Sequence, residues 1–135
     1  MLAEISNRCN TVEECYEFLL AYAAQGLPSD QGSKSGAQVR ECLQNAVKAL
    51  TGLAEICAQA VKEEGLEPAD TYLAFLAVLD RDARDSLAAI QLVLAQTIIS
   101  SQLIDNLNAS IHLRALLTDL FLADEILKKR HKPAG

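Results

Sequence analysis

Beginning at Val39, apolar residues recur at Leu43, Ala46, Leu50, Leu53, Cys57 and Ala60, stepping by four and three residues in turn. That alternation holds one stripe of an α-helix against a neighbouring helix, whereas a strand sends successive side chains to opposite faces. Val47, Ala54 and Val61 widen the stripe into a broad apolar face. Any fold of this chain must supply other helices to cover it. Gly65, following Lys62, Glu63 and Glu64, and then Pro68 mark the end of the pattern. Gly52 inside it costs about 1 kcal/mol relative to alanine, so the expectation is one continuous helix with a neighbouring backbone packed close to that glycine.

Three more helical patterns flank this seam. Thr11 and Glu14 have capping-box spacing, and Val12, Cys15, Leu19 and Tyr22 follow at helical intervals beside Phe18. This predicts a first helix from Thr11 to Ala24, stopped near Gly26. After the seam, Asp70 is a good N-cap for a third helix carrying Leu73, Leu76 and Leu79. Asp80 with Arg84, and Arg81 with Asp85, stand four apart, as in a solvated helical segment with a kink.

From Ser86 to Ile104 there is no charged residue, which raises the question of a membrane span. Gln91, Gln96 and Gln102 inside the run, Asp85 and Asp105 at its ends, and the lack of an aromatic belt oppose that reading. The run reads instead as a central helix covered on nearly all sides by its own chain and by a second subunit, with Ile90, Leu94, Ile98 and Ser101 as the interface candidates. Asp105 to Ser110 supplies turn residues, and the Asn108-Ala109-Ser110 sequon reads as the cap of a fourth helix. Ile111, Leu113, Leu116, Leu117, Leu120, Phe121, Ile126 and Leu127 form the apolar face of that last helix.

The sum is an all-α fold, an antiparallel four-helix bundle with long helices two and three. It is expected as a single domain over 1–135, with a flexible loop at about 26–36 and a frayed tail at about 131–135. Composition agrees, because 22 Leu and 21 Ala with only 4% aromatic residues favour closely approaching helices.

A net charge of −6 excludes a nucleic-acid surface, which needs an uncompensated basic patch. The one basic cluster, Lys128 to Lys132, sits at the end of the last helix, where cations complement the helix dipole. The start of the chain has no secretory pattern, so a cytoplasmic protein with reduced cysteines is expected. Cys42 and Cys57 lie on the apolar side of the seam, and the spacing of Cys9 and Cys15 fits no zinc or iron–sulfur signature. No metal and no cofactor are expected.

The segment from Gly26 to Gln38, GLPSDQGSKSGAQ, has the composition of a phosphate-cradling loop. Its two leading glycines, Gly26 and Gly32, are separated by five residues rather than four, Ser33 intervenes before Lys34, and a helix precedes it instead of a strand. What survives is a weak anion site, Gly32, Ser33, Lys34, Ser35 and Gly36, at the N-terminus of helix two, against the simpler reading of a solvated connection capped by Ser35.

His112 lacks the neighbours that a phosphoryl-accepting histidine needs, and the carboxylate pairs Glu13/Glu14, Glu63/Glu64 and Asp124/Glu125 lie near helix ends, where solvation explains them. No catalytic residue can be named from spacing, so the chain is not expected to be an enzyme. The expectation is a protein that works by association, as a homodimer and as an accessory or assembly factor for another protein. The alternative is a bundle binding a small molecule or an anion, either between helices with Gln91 and Gln96 as orienting groups or at the Gly32 to Gly36 loop.

Overall fold

The computed structural model describes residues 2–131, with side chains through residue 127. The basic cluster Lys128 to Lys132 and the tail from 131 onward therefore lie outside the described side chains. Every regular element in the described residues is helical: α1 (Leu2–Ala24), α2 (Lys34–Leu50), α3 (Leu53–Glu63), α4 (Ala69–Leu94), α5 (Ser101–Ala109) and α6 (Ile111–His131).

The first helix starts at Leu2, more than two turns before Thr11. Leu2, Ile5 and Cys9 continue the spacing of Val12, Cys15, Leu19 and Tyr22 backwards, and all seven are buried. Thr11 does not cap. Its hydroxyl donates to the Asn7 carbonyl one turn earlier, at 3.0 Å.

The seam of α2 is buried as its spacing predicts, from Val39 and Leu43 through Leu50, Leu53, Cys57 and Ala60. Each Leu so buried contributes roughly 1.5–3 kcal/mol. The helix carrying it, however, is broken. Gly52 takes φ +75°, and a Cβ there would meet only the Glu55 side chain at 3.7 Å. The glycine is thus a left-handed joint rather than a packing contact. Arg8 of α1 secures the joint, donating to the carbonyls of Ala49 at 3.3 Å and Thr51 at 2.7 Å. A cation at an exposed helix C-terminus is favourable on the same grounds that free carbonyls there need donors.

Helix α4 begins at Ala69, with Asp70 in its first turn rather than at the cap. It runs without interruption through Asp80 to Asp85, and Arg84 bonds Asp80 at 2.9 Å as its spacing predicts. It then ends at Leu94, ten residues short of Ile104. Residues 95–100 form a connection that leaves α4 through a turn, and Ser100 caps α5 by accepting the Leu103 N–H at 3.0 Å. The Asp105 to Ser110 segment is helical except at Ser110, where the backbone opens before α6. No helix among the described residues is long and apolar enough to cross a membrane.

Helix α1 packs on α2, α5 and α6, while α4 packs on α6, α3 and α2. Antiparallel pairing follows from the bonds between them. Arg8 reaches Thr51 while Cys15 reaches Cys42, so α1 and α2 run opposite ways. Tyr22 reaches Ile99 and Asn108 reaches the Leu19 carbonyl, while Ser6 lies by Asp124, which sets α1 against α5 and α6.

Candidate functional site

The loop before α2 is bonded from within. Ser33, not Ser35, is the N-cap: its Oγ accepts the Gly36 N–H at 2.9 Å, and its carbonyl accepts that of Ala37 at 3.3 Å. Gly36 is buried against the backbone of Asp30, with no room for a Cβ. Asp30 is itself buried, and its carboxylate pairs with Arg40 at 2.6 Å. Lys34 and Gly32 are exposed, and Ser35 is half-buried. The five residues proposed for an anion are therefore brought together as a helix start in which the Gly36 N–H is already engaged by Ser33, with the Asp30 carboxylate beside it.

The interface candidates are not one surface. Ile90 and Ser101 are each 2% exposed, because α4 turns Ile90 inward and Ser101 is a structural link. Ser101 Oγ donates to the Tyr22 carbonyl at 2.6 Å and accepts the Leu27 N–H at 2.8 Å. Leu94 is half-buried and Ile98 is exposed. Both residues are thus available only near the end of α4. Gln91 and Gln96 are also exposed, so neither orients a ligand between helices.

A different group of side chains gathers on the α4–α6 pair. The two helices run antiparallel, tied by the Ser86 hydroxyl donating to the His112 carbonyl at 2.9 Å. Asp85 lies 3.9 Å from His112 Nδ1. One turn further along, Asp82 of α4 meets Asp119 of α6. Burial comes first, then the hydrogen bond and the like charge of Asp82, in pushing the Asp119 carboxyl up to about 7. With both groups ionised neither has a donor, and Oδ2 of the buried Asp119 is left without a partner. A single proton held between the two removes both penalties. Burial and the facing Asp82 thus keep the Asp119 carboxyl protonated to higher pH than an ordinary carboxylate.

On the same two helices some large apolar side chains are exposed. Val78 is 50% exposed on α4, and Leu122 and Ile126 are 51% and 44% exposed on α6. Val78 lies four residues before Asp82, and Leu122 and Ile126 lie three and seven after Asp119, so helical spacing puts each on the same side of its helix as its acid. Beyond them a narrow crevice of about 40 Å³, with Tyr72, Phe75, Leu76, Ala123 and Ile126 among its walls, continues the apolar strip toward α3.

Nothing in the spacing of charged residues singled out Asp82 and Asp119. A usable signal was present: Asp82 stands three after Leu79 and four before Ser86, and Asp119 stands three after Leu116 and four before Ala123. Each is a carboxylate in the register of a buried seam. Among the described residues, no group of three or more His, Cys, Asp or Glu side chains is placed to hold a metal ion.

No family model matches the chain, and no curated protein or solved structure is significantly similar to it.

Proposed function

We propose that the protein acts by association, as a homodimer joined through the α4–α6 face. The observation that carries this reading is the exposure of Val78, Leu122 and Ile126 on two adjacent antiparallel helices, with Ile126 also lining the Tyr72 and Phe75 crevice. Isolated exposed apolar residues are ordinary, but a continuous strip across two helices is a docking surface. A second copy presents the same helix pair about a two-fold axis, the self-complementary arrangement of most homodimers.

In this reading the chain is an antiparallel four-helix bundle in which α2 with α3, and α5 with α6, each serve as one broken rod. The core seams are covered within the chain, so the outer strip is left for a partner. Four unpaired cysteines support placing it in the reducing cytoplasm. An accessory role beside a larger protein would use the same strip. The ligand-binding alternative has less support, because Gln91 and Gln96 are exposed rather than turned between helices and the buried carboxylate of Asp30 lies beside the Gly32 to Gly36 loop.

Sedimentation equilibrium of the full chain tests the proposal. A dimer is expected for the natural sequence, and a helical monomer for Leu122→Asp/Ile126→Asp. Ile98→Asp, in the connection after α4, is expected to remain dimeric. A natural chain that stays monomeric at every concentration reached, or a dimer split by Ile98→Asp alone, would overturn the α4–α6 interface.

A further inference from the structure

Cys15 of α1 and Cys42 of α2 are brought together by the antiparallel register of the two helices. The Cys15 thiol, almost fully buried, donates to the Cys42 carbonyl oxygen at 3.3 Å. Cys42 is half-buried, and both cysteines line one cleft of about 290 Å³ together with Glu14, Phe18, Glu41 and Asn45. The pair is therefore open to small molecules while one of its members is held in place. A second interaction, between the two side chains, lowers the Cys42 thiol from its usual range against the opposing effects of burial and the Glu41 charge, and the same interaction, with burial, raises that of Cys15. Cys42 is the more exposed of the two sulfur-bearing residues and Cys15 the buried one, so an oxidant in the cleft meets Cys42 first.

The other two cysteines give a contrast inside the same chain. Cys9 and Cys57 are buried in the core, and burial is the main cause that pushes them up to about 12 and about 11. Both stay as inert thiols.

We propose that Cys15 and Cys42 form a two-electron redox site, with Cys42 as the nucleophile toward a small uncharged peroxide and Cys15 as the thiol that resolves it to a disulfide. An uncharged oxidant is specified because Glu14 and Glu41 line the cleft and repel anions such as glutathione disulfide. In the first step the Cys42 thiolate attacks one oxygen of hydrogen peroxide. An S–O bond forms, the O–O bond breaks, and the departing hydroxide becomes water with the proton the Cys42 thiol gave up. In the second step the Cys15 sulfur attacks the Cys42 sulfur. The S–S bond forms, the S–O bond breaks, and the leaving hydroxide becomes water with the Cys15 proton. Two thiols lose two electrons and two protons, and one peroxide becomes two waters.

The test uses the full chain, reduced, folded and exposed to hydrogen peroxide, then denatured, alkylated with N-ethylmaleimide and cleaved after glutamate so that Glu13 and Glu14 separate Cys9 from Cys15. The expected result is a loss of about 2 Da in the intact mass before alkylation, a cross-linked peptide joining Cys15 to Cys42, and alkylated Cys9 and Cys57. In Cys15→Ser the cross-link is lost and Cys42 accumulates as a sulfenic acid that dimedone traps. Four alkylated cysteines after peroxide, a Cys9–Cys57 cross-link in place of the expected one, or further oxidation of Cys42 without any cross-link would each overturn the proposal. Should Cys15→Ser fail to fold, mapping of the natural chain decides it alone.

Discussion

The carboxylate of Asp30 receives Arg40 Nε at 2.6 Å through one oxygen and the Ile99 N–H at 2.7 Å through the other. One buried acid so joins the loop before α2, the helix itself and the connection before α5. Arg40 spends its remaining donors on the carbonyls of Leu94, Gln96 and Thr97, between 2.9 and 3.3 Å. Those groups belong to the end of α4 and the chain just past it, where helical partners run out. Arg8 serves the break between α2 and α3 in the same manner, so each of two helix ends is closed by an arginine from a different helix.

Removing Asp30 leaves Arg40 and the Ile99 N–H without their acceptor. Asp30→Ala is expected to cost about 3 kcal/mol at neutral pH. Burial by itself would raise the Asp30 carboxyl, but the Arg40 and Ile99 hydrogen bonds and the Arg40 charge outweigh it and hold it below the usual range. A lowered folded value means that its stabilisation is present above the unfolded value of about 3.9 and disappears as pH falls through the folded one. Urea midpoints should therefore separate the natural chain from Asp30→Ala widely at pH 7 and progressively less in acid. An equal gap at all pH values would refute the ionic account.

The seams were legible because burial obeys helical spacing whether or not the helix is continuous. Leu50 and Leu53 stay buried on either side of Gly52, although the joint itself was invisible as a break. Leu2 and Ile5 extend α1 by the same rule, which the capping-box reading of Thr11 and Glu14 obscured. The end of α4 had no local signal. It depends on Arg40, Asp30 and Tyr22, which are distant in sequence, and a charge-free run tells nothing about where distant donors will unwind it. The acid pair failed to stand out for the same reason, since Asp82 and Asp119 become neighbours only through the α4–α6 register.

Two glycines make opposite demands. Gly36 has ordinary helical backbone but no space, so Gly36→Ala must displace Asp30 and is expected to cost 2 kcal/mol or more, about the size of an overpacked core substitution. Gly52 has space but a left-handed backbone, so Gly52→Ala should cost only about 1 kcal/mol. Chemical denaturation ranks them. A larger loss at Gly52 would mean that the joint, not the clamp, is the more constrained of the two.

Ile99 gives its N–H to Asp30 and its carbonyl to the Tyr22 hydroxyl, the latter at 2.6 Å in a buried setting. Tyr22→Phe removes one hydrogen bond and is expected to cost about 1 kcal/mol. Both side chains hold the same peptide segment, so a double-mutant cycle of Tyr22→Phe with Asp30→Asn should show a coupling of at least about 0.5 kcal/mol. Strict additivity would show that the two anchors act independently.

The Asp82–Asp119 pair makes a prediction of the opposite sign to that for Asp30. Asp119 has its folded value raised to about 7, against about 3.9 when unfolded, so across that window the folded chain binds more protons than the unfolded one. Its contribution is then favourable in acid and is lost as pH rises toward and beyond neutrality. Asp119→Asn removes the charge while keeping a donor for Asp82, and should stabilise the protein by about 1–3 kcal/mol at pH 8 with little effect near pH 4. Asp82→Asn relieves the same repulsion and should bring Asp119 down toward the ordinary carboxylate range. Thermal midpoints of the natural chain and both variants across pH 4–8 provide the check. A natural chain that gains stability steadily up to pH 8, or an Asp119→Asn variant that loses it there, would mean that the carboxylate is stabilised where it lies and that no proton is shared between α4 and α6.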